Sequence, residues 1–402
     1  MIKRCALLLC SMTMLFAAES RRSDLFQSGT GGYALYRIPG IVVTAKGTLL
    51  AYAEARKSDR GDWGPIDIVL RRSTDGGATW SAATVIAKVE GEHRKNPVAL
   101  AQSLANPSDV TYNNPFAIAD RKTGAVHFLF CQEYMRAFYM RSDDDGQSFS
   151  KPVEITATFD RFRPEYDWKV LATGPGHGIQ LSGGRLLAPV WLSTGTGGHA
   201  HRPSVTSTIY SDDAGRTWQR GAIAVPDTPE WVFPNETAAA ELSDGRVLLN
   251  VRTESKGNRR LLTTSGDGAT GWSAPRFHEN LLEPICFGSM ATLAIDGKAR
   301  LLFSNPDNLE KTGGAAEPGK NRDRKNLAIQ VSYDDARTWR VKKVIEPGWA
   351  GYSDLATDAK GWIYCFFERG GIGDNHFKTA ALTLVRMDVE WLTDGKDSLK
   401  RE

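Results

Sequence analysis

Apolar residues in this chain come in short runs that break at glycine-containing turns. Six such turns stand out, TAKGTLL, DRKTGAVHFLF, LSGGRLLAPV, LSDGRVLLNV, AIDGKARLLF and DAKGWIYCFF, with glycines at Gly47, Gly124, Gly184, Gly245, Gly297 and Gly361. Glycine supplies the positive φ that tight hairpin turns need, and apolar runs on both sides read as paired strands. No long run with a 3.6-residue period interrupts the series. Each unit between turns has room for about four strands of ~5–6 residues.

A second signal repeats independently. RRSTDGGATW recurs as MRSDDDGQSFS, YSDDAGRTW and VSYDDARTW, with a worn copy, TSGDGATGW. Aligned on Ser73, Ser142, Ser211, Ser265 and Ser332, each copy has an aspartate two residues on and an aromatic seven on. Ser and Asp bond nearby backbone in turns, and the aromatic plugs the sheet behind. Asp75, Asp144, Asp213 and Asp334 are therefore expected to be turn residues rather than catalysts. The worn copy lacks glycine and threonine at the usual positions, which predicts a local loss of stability. Together the two signals predict an all-β fold, a six-bladed β-propeller of four-stranded antiparallel sheets. Two stacked sandwiches would need a linker near the middle, and none is present.

Against this frame some polar residues are out of place. Arg37 lies ten residues before Gly47, Asn114 ten before Gly124, Glu236 nine before Gly245 and Tyr352 nine before Gly361. Arg56 and Arg252 lie on the returning strands. A two-residue loop at Lys46-Gly47 predicts Arg37 directly opposite Arg56. Opposed like charges destabilise a sheet, so an anion is expected between them; a surface salt bridge is the plainer reading for Arg56. For Glu236 and Arg252, a two-residue turn at Asp244-Gly245 predicts opposite faces unless a bulge intervenes near the strand end. A radial repeat would bring Arg37, Arg56, Glu236, Arg252 and Tyr352 to one pocket that takes a carboxylate or a phosphate.

Composition narrows this a little. With 50 Lys+Arg against 47 Asp+Glu in 402 residues, a net charge of +3 gives no reason to expect a nucleic-acid or membrane-surface partner. The start, MIKRCALLLCSMTMLFAAES, has two basic residues, an apolar run and small residues. It reads as an export signal over residues 1–20, a retained anchor or a lipid-modified Cys10 being the alternatives. Residues 21–402 are then expected to form one catalytic domain, periplasmic or extracellular, with no stable membrane span. Cys131, Cys286 and Cys365 sit among apolar neighbours and read as buried thiols. No metal-ligand spacing of His and Cys occurs, and no cofactor is expected.

YRIP at 36–39, the repeated turns and the order of the polar positions resemble the bacterial exo-sialidase (neuraminidase) family, six-bladed propellers with Asp-box repeats. The resemblance runs from about Asp24 to Trp391. It implies that Arg37, Arg252 and Arg324 bind the carboxylate of sialic acid, with Arg322 two residues from Arg324 as a rival. Asp62 in RGDWGPIDIV is implied as general acid/base, with Asp59 and Asp67 as competitors, Tyr352 as nucleophile and Glu236 as the base that activates it. A neutral phenol suits attack beside a carboxylate, where an anionic nucleophile is repelled, and sialidases differ from most retaining glycosidases in using tyrosine. The implied partners are sialylated glycans.

Each residue also has a structural reading: Tyr352 a core aromatic, Glu236 a paired strand-end acid, Asp62 a solvated loop acid. His177, His199 and His201 stand in glycine-rich loops and are not assigned a catalytic role. Asn113, Asn114, Phe116, Gln132 and Trp168 are candidates for an N-acyl pocket by loop position alone. Two alternatives stay open: a secreted glycan-binding propeller without catalysis, and an enzyme acting on a related nonulosonic acid or releasing an anhydro product.

Overall fold

The computed structural model describes residues 19–310, 323–373, 375 and 377–399, and its regular structure is almost entirely antiparallel β. The first strand, β1 (Ser20–Gln27), pairs with the last, β25 (Ala381–Met387), with Ser20 opposite Met387. The sheet that closes the chain is thus built from both of its ends, an arrangement the turn pattern did not anticipate. The expected export signal falls almost wholly outside the described residues.

Between those strands, β2 (Leu35–Val43), β3 (Leu49–Arg56), β4 (Ile66–Ser73) and β5 (Thr84–Val85) form a four-stranded sheet in that order. β6 (Tyr112–Ala119), β7 (Val126–Gln132), β8 (Arg136–Ser142) and β9 (Val153–Glu154) repeat it. A third sheet contains β10 (Val170–Thr173), β13 (Leu186–Ser193), β14 (Ser204–Ser211) and β15 (Gln219–Arg220), with β12 (Ile179–Gln180) also on β13. The intervening β11 (Gly176–His177) returns to lie parallel to β6. The fourth sheet is β16 (Thr237–Glu241), β17 (Val247–Val251), β18 (Arg259–Ser265) and β19 (Arg276–Leu282).

β20 (Ser289–Ile295), β21 (Lys298–Pro306) and β22 (Lys325–Ser332) lead to β23 (Val341–Thr357), whose first half pairs with β22 and whose second half pairs with β24 (Ile363–Arg369). β23 thereby joins β20–β22 to β24, β25 and β1 in one seven-stranded sheet. The helices among the described residues are short: α1 (Pro97–Ala101), α2 (Thr156–Asp160) and α3 (Val389–Leu392). None is long and apolar enough to cross a membrane.

All six glycine turns connect antiparallel neighbours. The Ser/Asp repeats form the expected turns at the same end of their sheets. Gly77 N donates to Ser73 Oγ, Gly146 N to Ser142 Oγ and Gly215 N to Ser211 Oγ, at 2.8–2.9 Å. Asp75, Asp213 and Asp334 each accept a 2.6 Å bond from the threonine hydroxyl four residues on. Trp80, Phe149, Trp218, Trp272 and Trp339 each pack on a core cluster between strands. The worn copy still closes. Gly268 and Thr270 stand one residue earlier than in the other copies, and they bond Ser265 and Asp267 in the usual way. Cys131, Cys286 and Cys365 are free and buried, as expected.

At the other end of the strands the register departs from expectation. The Gly47 loop has three residues rather than two, since Thr44 N bonds Thr48 O and Gly47 N bonds Thr44 O. A bulge between Arg37 and Gly40 shifts the pairing again, so Arg37 lies opposite Glu54 and Arg56 opposite Leu35. The two arginines are not directly opposed. The Gly245 loop likewise has three residues, with Leu242 N bonded to Arg246 O at 2.7 Å. Glu236 therefore comes opposite Arg252, whose N donates to Glu236 O at 3.0 Å and whose O accepts from Asn235 N at 3.1 Å, two residues bonding one at the strand end. Three-residue loops ending in a left-handed glycine are a common hairpin closure.

Candidate active site

Bulges at the inner strand ends set the site. The β2 strand breaks register between Arg37 and Gly40, β6 between Asn113 and Phe116, and β23 between Ala350 and Ser353. Ile38 and Asn114 adopt φ of 57° and 50°, a strained region for residues with a Cβ. A bulge re-aims side chains at a strand end, which is why bulges gather near functional sites.

Each bulge is tied down by a buried carboxylate from a neighbouring strand. Glu368 on β24 accepts from Arg37 Nε at 2.9 Å and Nη2 at 3.1 Å, and from the Ile38 and Tyr352 backbone N–H groups. Glu54 on β3 accepts from Arg56 Nη2 at 2.7 Å and from Asn114 N at 2.9 Å. One acid thus neutralises an arginine and satisfies the backbone group that a bulge leaves unpaired.

These strand ends enclose a cavity of about 310 Å³ lined by Arg37, Arg56, Asp62, Glu236, Arg252, Arg324 and Tyr352 together. All seven candidates named from the sequence are brought to one place. Tyr352 is buried, and its hydroxyl donates to Glu236 Oε1 at 2.6 Å and accepts from Arg252 Nη1 at 2.7 Å. Arg252 also bonds the other oxygen of Glu236. Burial pushes the Tyr352 phenol up; Arg252, Arg324 and Arg37 pull it down and Glu236 pushes it up, leaving it well above the usual range. At neutral pH the phenol is protonated, and the atom placed to take its proton is Glu236 Oε1.

Asp62 lies in the loop between β3 and β4. Its Oδ1 is 2.8 Å from Arg56 Nη2 and 4.0 Å from Arg37 Nη1. The anion expected between the two arginines is therefore a residue of the chain. Arg56 is 1% exposed, so its partners are not a surface salt bridge. Burial pushes Asp62 up, but Arg56, His201 and Arg37 hold it well below the usual carboxylate range. With its side chain 39% exposed, water screens part of that pull. Of the rivals, Asp59 also lines the cavity, whereas Asp67 does not. Asp59 pairs with Lys378 at the rim, and Asp67 accepts from Tyr33 Oη and Lys57 Nζ. Arg322 lies outside the described residues.

Other expectations are corrected. Phe116 and Trp168 belong to a hydrophobic core cluster, and Gln132 is buried, accepting from Arg136, so none of the three lines the cavity. Asn113 reaches it only through Asp62 O, to which its Nδ2 donates at 3.1 Å, whereas Asn114 lines it. His177 is absent from the lining; its Nδ1 pairs with Asp354 at 2.7 Å. His199 and His201 do line it. The His201 ring packs against Trp63, Tyr134 and Trp191, with centroids 5.0–5.6 Å apart, and burial pushes it down to about 4 despite Asp62 nearby.

The residues that the sequence reading missed are mostly partners. Glu368 and Glu54 hold arginines, Glu254 accepts from Arg202 at 2.7 Å, and Tyr134 and Trp191 form the aromatic wall. The available signal was an acid inside an apolar strand run, as in LLAYAEAR and IYCFFER.

Fold and site together define a class, all-β sheets with closing Ser/Asp turns around a cationic pocket that holds a tyrosine–glutamate pair. The model of the BNR repeat-like domain matches residues 47–365, and the chain belongs to that family. Among its relatives are a sialidase of Micromonospora viridifaciens, 30% identical over 388 residues, covering 89% of this chain, and one of Bacteroides fragilis, 28% identical over 371 residues, covering 85%. The chain spans 54% and 61% of those two relatives' own lengths. In fold it is similar to a Hadza microbial sialidase, with a TM-score of 0.73 at 24% identity over 92% of this chain and 69% of that one.

Proposed function

We propose that this protein is an exo-α-sialidase that hydrolyses terminal α-linked sialic acids with retention of configuration. The observation that carries the reading is the bonded set Arg252–Tyr352–Glu236 within one cavity that also holds Arg37, Arg324 and Asp62. A pocket that only bound an anion would need the arginines but not a tyrosine hydrogen-bonded to a base.

In this reading Arg37, Arg252 and Arg324 take the substrate carboxylate, and Arg56 holds Asp62. Tyr352 Oη attacks the anomeric carbon as Glu236 accepts the phenolic proton. The bond to the leaving oxygen breaks, and Asp62 donates its proton to that oxygen. Water then attacks the anomeric carbon as its bond to Tyr352 Oη breaks, Asp62 takes a proton from the water, and Glu236 returns the phenolic proton, so two inversions give net retention. Asp62 begins ionised. A substrate carboxylate on Arg37 neutralises one cation that holds it down, and exclusion of water raises it further toward the protonated form the acid step needs.

The same reading takes the fold as a six-bladed propeller. Its support is that six groups of four strands can be drawn, with β23 counted in two of them and β1 completing the last, the two-residue β11 and β12 being additions to the second and third. It also takes residues 1–20 as an export signal and the mature protein as periplasmic or extracellular, acting on sialylated glycans. Sequencing the N-terminus of protein recovered outside the cytoplasm tests the cleavage.

The activity is tested with a fluorogenic α-sialoside. Wild type is expected to release the fluorophore, and proton NMR of a natural sialoside to show the α-anomer of free sialic acid first. Tyr352→Phe is expected to lose turnover by about a thousandfold or more while still binding sialic acid. Binding without turnover in the wild type would support a lectin instead.

A further inference from the structure

Arg324 is held differently from the other arginines of the cavity. Its guanidinium carbon lies over two rings, 5.0 Å from the centroid of Tyr352 and 5.1 Å from that of Phe377. Its Nη2 donates to Ile285 O at 2.6 Å, and its Nε has no partner among the described residues. Stacking on a ring fixes the plane of a guanidinium while leaving its in-plane N–H groups free for an oxyanion.

Phe377 is not on a strand. It lies in the connection between β24 and β25, next to Lys378, and both line the cavity. The backbone is pinned there: Lys378 N donates to Asn375 O at 3.0 Å, and Ile372 N donates to Lys378 O at 2.9 Å. Lys378 Nζ reaches Asp59 Oδ2 at 2.6 Å, on the loop that carries Asp62. Two adjacent residues thus reach in two directions, one to an arginine of the anion seat and one to the acid-bearing loop.

We propose that Phe377 and Lys378 form a clasp over the cavity. Phe377 is a positioning residue that fixes Arg324 for the substrate carboxylate, and Lys378, through Asp59, steadies the loop that presents Asp62 to the leaving group. The inference rests on the sialidase reading of this cavity and adds two working residues to it. The two halves of the clasp have different kinetic signatures. Arg324 meets a group present in ground state and transition state alike, so loosening it raises KM. In the bond-breaking step Asp62 is needed only where the leaving oxygen needs a proton, so loosening its loop lowers kcat/KM, which reports that step, selectively for poor leaving groups.

The test is steady-state kinetics of the full-length protein on a sialyl-disaccharide and on an activated aryl sialoside, with denaturation midpoints to confirm folding. Phe377→Ala is expected to raise KM about tenfold on both substrates with kcat changed by less than about threefold, and Phe377→Tyr to restore it. The Lys378–Asp59 pair is partly exposed, so Lys378→Met is expected to lower kcat/KM only about threefold, on the disaccharide and not on the aryl sialoside. The exchange Asp59→Lys with Lys378→Asp is expected to recover that loss. A wild-type KM in Phe377→Ala, or an equal loss on both substrates in Lys378→Met, overturns the clasp while the sialidase reading stands. No turnover of either substrate by the wild type overturns both.

Discussion

Within one sheet the two ends of the strands are built on different rules. At the turn end, Ser73 lies opposite Leu49 and its hydroxyl, with Asp75, satisfies the backbone of the next few residues. Those bonds are local, repeated in five places and closed by an aromatic behind. At the pocket end, Arg56 lies opposite Ile66, and several polar groups are satisfied by partners from far along the chain, Arg37 by Glu368, Asn114 N by Glu54 and Tyr352 by Glu236. Local bonds tolerate wear: the copy at Ser265 lost the usual spacing and still closed. Buried ion pairs do not, because removing one partner strands a charge in a medium that solvates it poorly.

The contrast can be broken most directly at Glu368, which holds Arg37 and two bulged backbone groups at once. Glu368→Gln keeps the shape and removes the charge, and is expected to destabilise by about 3 kcal/mol or more, read from the denaturant midpoint. Loss of less than about 1 kcal/mol, the size expected for a capping bond at the turn end, would erase the distinction.

Next in size is a pH effect confined to the pocket end. His201 is pushed down to about 4 by burial, below the ordinary histidine value near 6.5. Between those values the unfolded chain binds more protons than the folded one, so stability falls as pH drops from about 6.5 to about 4, by on the order of 2 kcal/mol with water in the cavity taken into account. His201→Phe, which leaves nothing to titrate, is expected to flatten that part of the stability profile. An unchanged slope would mean that the ring is not held neutral.

The smallest effect sharpens the comparison from the other side. Four of the repeated turns place glycine in the left-handed region, but the last has Ala336 at φ 63°. Ala336→Gly is expected to stabilise by about 0.5–1 kcal/mol in thermal melts and to leave turnover unchanged, since the turn end carries no chemistry.

The same contrast explains what could be read from the chain. The turns were legible because their chemistry is local, Ser, Asp and aromatic at fixed offsets. Arg37, Glu236, Arg252 and Tyr352 were legible as a group because each sits at one end of a hairpin whose glycine is visible. Exact pairing was not: a third loop residue and a bulge change which side chain faces which, and neither leaves a composition signal. Glu54 and Glu368 escaped because their partners lie on other strands, as with Glu368 and Arg37, or follow from burial rather than spacing. Phe116 and Gln132 were misplaced because they lie on strands, β6 and β7, with buried side chains, and Trp168 because its loop packs into the core.

The central claim is that Tyr352, and not a carboxylate, forms the bond to the sugar. Incubation with a 2,3-difluorinated sialic acid slows breakdown of the glycosyl–enzyme more than its formation and leaves it long-lived enough for mass spectrometry. The expected result is one sugar per protein molecule, mapped to the peptide containing Tyr352 and absent in Tyr352→Phe. An adduct on Glu236 or Asp62, or none in a protein that still turns over sialosides, would contradict the account.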